Sequence, residues 1–401
     1  MMRILFPYLA RWRSANRSRY HQILEHLCRL GHQVFVLKAP PMALNDISSR
    51  DVASNSEFEA DVRSPSEPPG LSVEEFEVSG LMRSFFDFPL SGTKAFKKGL
   101  LTLGSVEQVR RFTDKAKIDV LLLYNLPQVR LLNSVNCHRH FDLADDLVEM
   151  LRFEHPIIYA AGGAAIARAV ESRLIRKSDS VTVASSVLEE RVASPADLMP
   201  NGADLEQLDR ADPSEWLSKK VGPTIGFVGA FEYWIDFDLI VGMAERMRNV
   251  TFLLVGGGRR LEELRHLVLA RRLSNVTFTG PLAYERAMNL VAGMDVCLLP
   301  FTRDAVSDAA CPLKLFEYAG LKKPVISTRT TEVCRIGDGW IAFGDGPQDS
   351  AAIADDFLCN PHKAEGAGLS GRRIVESRYN WPAIASRFAD QLSRHLNGSS
   401  S

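Results

Sequence analysis

Residues 295–328 read DVCLLPFTRDAVSDAACPLKLFEYAGLKKPVIST. Two short apolar runs, Val296–Phe301 and Pro324–Ser327, bracket a polar loop and a compact segment that opens on Pro312. The runs have the length of buried strands, and Pro312–Leu321 has the length and pattern of a short helix. Proline suits the first helical turn, where a missing N–H costs nothing. A strand, a crossover helix and another strand make the repeat of a parallel sheet. Within the helix Lys314 and Glu317 stand three residues apart and so share a face.

The repeat extends in both directions. Upstream come TIGFVGA, a helix near Leu239–Met247, VTFLLVGGG, a helix over Arg260–Arg271, NVTFTG and a helix over Tyr284–Ala292. Short strands alternating with helices of about ten residues describe a doubly wound domain. The first half repeats the pattern. RILFPY is followed by a helix through Tyr20, Ile23, Leu24, Leu27 and Leu30 that Gly31 stops, and then by QVFVLKA. DVLLLYN, RHFDLA, SVTVAS and ADLMPNG continue the series. Between Pro40 and Gly70 the composition turns to Ser, Pro, Asp and Glu, which reads as a surface insertion. The C-terminal stretch sets Trp381, Ile384, Phe388 and Leu392 at helical spacing, a packing helix. The fold class expected is α/β, two tandem Rossmann-like doubly wound domains with ligand bound between them.

Composition narrows the function. The 401 residues exceed one ordinary core and imply two domains. A net charge of -1 gives no general drive toward nucleic acid. Cys28, Cys137, Cys297, Cys311, Cys334 and Cys359 are scattered and form no CxxC pair, which argues against zinc and suits a reducing compartment. The opening MMRILFPYLARWRS turns polar too soon for a secretory signal. PIIYAAGGAAIARAV, the longest weakly polar stretch, falls short of the ~20 apolar residues of a membrane span. A cytoplasmic protein is expected, peripheral on the inner face of the plasma membrane.

In an open parallel sheet ligands bind beyond the carboxyl ends of the strands. Three places in the second half meet that condition. Gly229-Ala230 ends the first strand, Gly256, Gly257 and Gly258 end the second with Arg259 and Arg260 behind them, and Pro312, Leu313 and Lys314 open the short helix. A helix N-terminus presents free N–H donors and a partial positive charge, a ready anion site. A lysine there costs the bare helix a few tenths of a kcal/mol, which makes sense if the site holds an anion such as a diphosphate. Glu317, one turn on, supplies an acceptor for ribose hydroxyls. The competing reading is a solvated ion pair worth about 0.3 kcal/mol.

These motifs resemble the two-Rossmann-domain (GT-B) glycosyltransferases of the group related to the family-1 and family-4 enzymes. PLKLFEYAGLKKPVIST is similar to that group's donor-site signature. PTIGFVGAFEYWIDFDLI resembles the start of its donor domain, LMPNGAD its P-N-G-V-D before the linker, and YNW its C-terminal return helix. NVTFTGPLAYERAMNLVAGMDVCLLPF resembles the middle section. The resemblance covers Val181–Ser393. It implies residues 1–208 as an acceptor-binding domain, 209–222 as a linker, 223–376 as a nucleotide-sugar domain and 377–396 as a helix packing back toward the first domain. It also implies that Lys314 neutralises the diphosphate, Glu317 binds the ribose and Gly229 brings backbone N–H groups to the phosphates. Where many family-4 enzymes carry an Arg and a Lys after the first donor-domain strand, this chain reads GAFEYWIDFD. Phosphate charge then falls to Lys314, the Arg303 region or the first domain. Ser307 and Asp308 occupy the loop of the usual E-x7-E motif.

In the first half RHFDLADDLVEM sets Asp145 and Asp146 after a strand, where one carboxylate can act as general base and one can cap a helix. The segment resembles a turn of inverting bacterial enzymes of this fold, including glucuronosyltransferases of exopolysaccharide assembly, which favours Asp145 as the base. Arg11, Arg13, Arg17 and Arg19, with Trp12, Tyr20 and His21, suit the phosphates of a lipid-linked acceptor or form a solvated basic loop. The 82–101 segment interleaves Phe85, Phe86, Phe88 and Phe96 with Arg83, Lys94, Lys97 and Lys98, as an anionic membrane contact or as core. His138 and His140 read as structural. With no ligand cluster of metal spacing, transfer is expected to need no metal and no cofactor beyond the nucleotide-sugar donor. A nucleotide-sugar epimerase and an inactive nucleotide-binding partner subunit are the competing functions.

Overall fold

The computed structural model describes residues 1–10, 12, 17–40, 68–79, 94–192 and 195–398. The chain divides into two compact units, Met1–Met199 with Ala385–Ser401, and Pro200–Ile384.

The first unit is built on a parallel sheet of order β3-β2-β1-β4-β5-β6-β7. Its strands are β1 (Arg3–Tyr8), β2 (Gln33–Lys38), β3 (Leu71–Glu75), β4 (Val120–Leu123), β5 (His138–Leu143), β6 (Ser180–Val183) and β7 (Asp197–Leu198). Its longer helices are α1 (Arg19–Arg29), α2 (Lys94–Ala116), α3 (Leu147–Glu154) and α4 (Ala164–Lys177). The second unit carries a parallel sheet of order β10-β9-β8-β11-β12-β13. Here the strands are β8 (Thr224–Val228), β9 (Thr251–Val255), β10 (Val276–Gly280), β11 (Val296–Leu299), β12 (Val325–Ser327) and β13 (Ile341–Phe343). Around them lie α5 (Phe237–Arg246), α6 (Leu261–Ala270), α7 (Tyr284–Ala292), α8 (Leu313–Gly320), α9 (Pro347–Cys359) and α10 (Pro361–Arg378). The last helix, α11 (Trp381–Gly398), contains the boundary between the units.

The strand sequences explain the sheets. VLLL in β4 and VCLL in β11 are buried at every position. A parallel sheet covered on both faces requires such unbroken apolar runs. Beyond Ala385, α11 adds Phe388 and Leu392 to the core of the first unit.

Two expectations change. Asp209–Gly222, read as a linker, packs on the second unit. Arg372 grips Asp209 through two hydrogen bonds (2.7 and 2.8 Å), and Lys220 pairs with Asp295 at 2.7 Å. Pro200–Leu208, assigned by sequence to the first domain, also belongs to the second unit. Ala203 N donates to Tyr379 O, and a Cβ on Gly320 would meet Leu208 at 2.5 Å. The edge strands β3 and β13 are additions to the sequence reading. LSVEE carries two exposed glutamates and β13 is three residues long, so neither shows a buried-strand pattern. Most of the insertion at Pro40–Gly70 and residues 82–93 lie outside the described residues. Within the described part of 82–101, Lys97 and Leu101 are buried.

Candidate functional site

In the second sheet the chain runs outward from β8 through β9 to β10 and then returns to β11 on the other side. The crevice at such a reversal is where doubly wound sheets take ligands. Gly229 and Ala230 follow β8 there, and Gly256–Gly258 follow β9. Gly256 has φ +130°, and a Cβ on it would lie 2.0 Å from Gly229 O. Gly258 has φ +152°, and a Cβ on it would lie 2.5 Å from the Phe231 backbone. The two turns therefore pack backbone on backbone, which only glycine allows. Gly256→Ala is expected to cost about 3 kcal/mol or more through strain and overpacking. A urea titration checks it; a variant within 0.5 kcal/mol of the parent would show that the turns have slack.

Helix α8 opens on Pro312 as N-cap, with Leu313 and Lys314 its first two residues. Two contacts fix its place. The Tyr318 hydroxyl accepts from Val228 N at 2.8 Å, tying the helix to the end of β8. Asn201, from the PNG segment, donates through Nδ2 to Cys311 O at 2.5 Å. Lys314 is half-buried, and its Cε lies 3.5 Å from the point where a Cβ on Gly229 would stand. Among the described residues Lys314 has no hydrogen bond and no ion pair. Glu317 is buried, 5% exposed, so the two are not a solvated ion pair on one face.

The other cations named for this edge are spoken for. Arg259, placed by the sequence at this ligand edge, pairs with Glu232 at 2.9 Å and lies 5.4 Å from the Tyr233 ring centroid. Arg303 pairs with Asp345. Asp308 accepts from both Thr331 N (2.7 Å) and Thr331 Oγ1 (2.8 Å), which anchors the loop after β11. A residue the sequence reading missed lies close by. Thr330, after β12, is fully buried with its Oγ1 unpartnered among the described residues.

In the first unit Asp146 caps α3, accepting from Glu149 N at 3.0 Å, and pairs with Arg191. These two contacts engage both of its carboxylate oxygens. Asp145 is exposed. Desolvation raises its carboxyl above the ordinary value, with Asp142 and Asp146 adding to the rise and Arg19 opposing it. Arg19, expected in a basic loop, is buried instead. It grips Asp142 with Nε at 2.8 Å and Nη2 at 3.0 Å. Arg17 pairs with Glu25, and Arg11 and Arg13 lie outside the described residues.

Asp142 ends a buried polar ladder across β5 and β6. Thr182 Oγ1 donates to Asp142 at 2.6 Å and shares a bond with His140 Nε2 at 2.9 Å. Ser180 Oγ joins His140 Nδ1 and His138 Nε2, each at 2.7 Å. Burial holds the His140 imidazole neutral, its pKa lowered to about 3. Burial also acts against the Asp142 carboxylate, but Arg19 and the Thr182 hydrogen bond outweigh it and keep its pKa below the ordinary value. The alternation H-R-H-F-D opposite S-V-T was the available signal: polar residues two apart, on one face of strands too apolar to be exposed.

Residues 222–360 match the family described as Glycosyl transferases group 1. The matched stretch lies within the second unit. Among curated proteins this chain is 26% identical over 206 residues to Bacillus subtilis TuaH, named for teichuronic acid biosynthesis, covering 48% of this chain and 52% of TuaH. It is 29% identical over 164 residues to O-antigen chain mannosyltransferase C of Escherichia coli, covering 38% and 42%. The chain spans about half the length of the curated relatives it matches. Sucrose-phosphate synthase from Thermosynechococcus elongatus superposes over 100% of both chains with TM-score 0.76 at 19% identity. Anabaena Alr3699/HepE, solved in complex with UDP and glucose, superposes over 98% of this chain and 100% of its own with TM-score 0.65 at 14% identity. These similarities establish the GT-B fold class.

Proposed function

We propose that this chain is a glycosyltransferase that moves a hexosyl group from a nucleotide-diphosphate sugar to an acceptor hydroxyl, without a metal ion. One observation carries the proposal. Lys314 lies at the N-terminus of α8 with no carboxylate partner among the described residues, its stem laid against Gly229. A lysine ammonium and the helix N–H groups supply fixed positive charge for a diphosphate leaving group. The buried Glu317 carboxylate takes the ribose hydroxyls. The Anabaena neighbour was solved with UDP and glucose, which supports a nucleotide-sugar donor here.

In the reaction the bond from the sugar anomeric carbon to the diphosphate oxygen breaks, and a bond to the acceptor oxygen forms. Asp145 takes the acceptor's proton, and Lys314 meets the charge left on the nucleoside diphosphate. Desolvation brings Asp145 nearer the working pH of a general base. The names of the bacterial relatives support a saccharide or lipid-linked saccharide acceptor in surface-polysaccharide or glycolipid assembly.

Turnover of a nucleotide-sugar panel with extracted glycolipid acceptors, assayed in EDTA, tests the proposal. Full activity in EDTA is expected, with a loss of about 10²-fold or more in Asp145→Asn. Activity that requires added Mg²⁺ would refute the metal-free part. Release of an epimerised sugar without acceptor would refute transfer.

A further inference from the structure

The weakly polar stretch PIIYAAGGAAIARAV serves neither the donor edge nor the ladder. It leaves Ile157 83%, Ile158 55% and Ile166 69% exposed. The three residues form a patch. A Cβ on Gly163 would meet Ile158 Cγ2 at 2.8 Å, so Ile158 lies over Gly163, and Ile166 follows one helical turn on. Pro156, Ala160, Ala161, Ala165 and Ala169 around them are also exposed. The opposite face of α4, through Ala164, Ala167, Glu171 and Leu174, is the one turned into the core.

The charges beside the patch are mostly cationic at the surface. Arg152, Arg168, Arg173, Arg176 and Lys177 are exposed. Of the carboxylates of the same region, Asp179 is exposed but pairs with Arg139 at 2.5 Å, while Glu149, Glu154 and Glu171 are withdrawn. Glu171 is buried, and Arg191 reaches it at 3.4 Å. Glu149 is half-buried and accepts from Tyr159 Oη (2.8 Å) and from Arg168 (3.0 Å). Along α4 the exposed stripe runs Ile166, Ala169, Arg173, Arg176, from an apolar end to a cationic one, about 15 Å apart.

We propose that this face docks the first unit on an anionic lipid surface. The isoleucine tip enters the boundary between headgroups and acyl chains, and the arginines further along α4 meet lipid phosphates. Contiguous exposed isoleucines mark an interaction surface, and an excess of flanking cations selects a negative partner. Among the described residues no helix is long and apolar enough to cross a membrane, so the contact is superficial. The proposal concerns a different segment from 82–101 and does not depend on the reading of the donor site.

Cosedimentation of the full chain with phosphatidylcholine vesicles, with and without phosphatidylglycerol, tests it without any nucleotide. Binding is expected only to the anionic vesicles and weakens with added salt. Ile157→Asp combined with Ile166→Asp should reduce binding about tenfold or more, and Arg173→Glu with Arg176→Glu should do the same. All four side chains are exposed, so melting temperatures should stay near the parent's. Absence of parent binding to anionic vesicles, or unchanged binding in both double variants, would overturn the proposal. So would a dimer in sedimentation that the isoleucine substitutions dissociate, since the face would then join two copies of this chain.

Discussion

Lys314→Ala is expected to lower transfer about 10²- to 10³-fold, the scale set by removing a fixed charge or donor aimed at charge that develops during reaction. The unliganded protein should be no less stable than the parent. Lys314 has no partner among the described residues to lose, and it sits at the positive end of α8, so its removal relieves a few tenths of a kcal/mol of repulsion. That combination separates the account from a structural role. A lysine that merely braced the fold would cost stability and activity together. Glu317→Gln should weaken nucleotide binding by about 1.5–3 kcal/mol through the lost charged hydrogen bond. Kinetics on the purified variants check both, and Lys314→Ala with unaltered kcat/KM would remove the diphosphate from this helix.

The second large effect lies in the first unit. Arg19→Met is expected to destabilise it by about 3–5 kcal/mol near neutral pH, because Asp142 is left as an uncompensated buried charge. The pH dependence has a defined sign. In the parent the folded pKa of Asp142 is depressed, so the stability it contributes is present above the ordinary carboxylate pKa and fades as pH falls through the folded value. In the variant burial acts without the guanidinium, the folded pKa rises, and protonation on acidification relieves the cost. The gap between variant and parent is therefore largest at pH 7 and narrows toward pH 4. The further change Asp142→Leu should recover part of the loss. Urea titrations at the two pH values check this. A gap that stayed constant would mean that packing of the arginine stem, not charge, sets the cost.

These predictions also show which features were legible. The doubly wound pattern was plain because parallel strands buried on both faces write themselves as apolar runs such as VLLL and VCLL. The turns after β8 and β9 and the start of α8 were equally legible, since a proline at a helix start and glycines after strands are local signals tied to backbone geometry. Arg19 was misread because an arginine in a basic loop and an arginine 123 residues from its aspartate look alike in one dimension. The partner of Arg259 was hidden in the same way, since Glu232 stands across a turn 27 residues away. Asp145 and Asp146 were adjacent and chemically identical. Capping geometry and the Arg191 pair distinguish Asp146, and neither is visible in the letters ADD. The edge strands β3 and β13 lack a two-sided core and so lack its pattern.

The account rests on α8 as the seat of the donor's diphosphate, and ligand-induced stabilisation tests that most directly. Thermal unfolding of the full chain should be followed with UDP, GDP, ADP and CMP, for the parent and for Lys314→Ala and Glu317→Ala. At 100 times its dissociation constant the matching nucleoside diphosphate should add about 2.7 kcal/mol to the parent. The gain should be largely absent in both variants. Indifference of the parent to every nucleotide, or equal stabilisation of all three proteins, would contradict it.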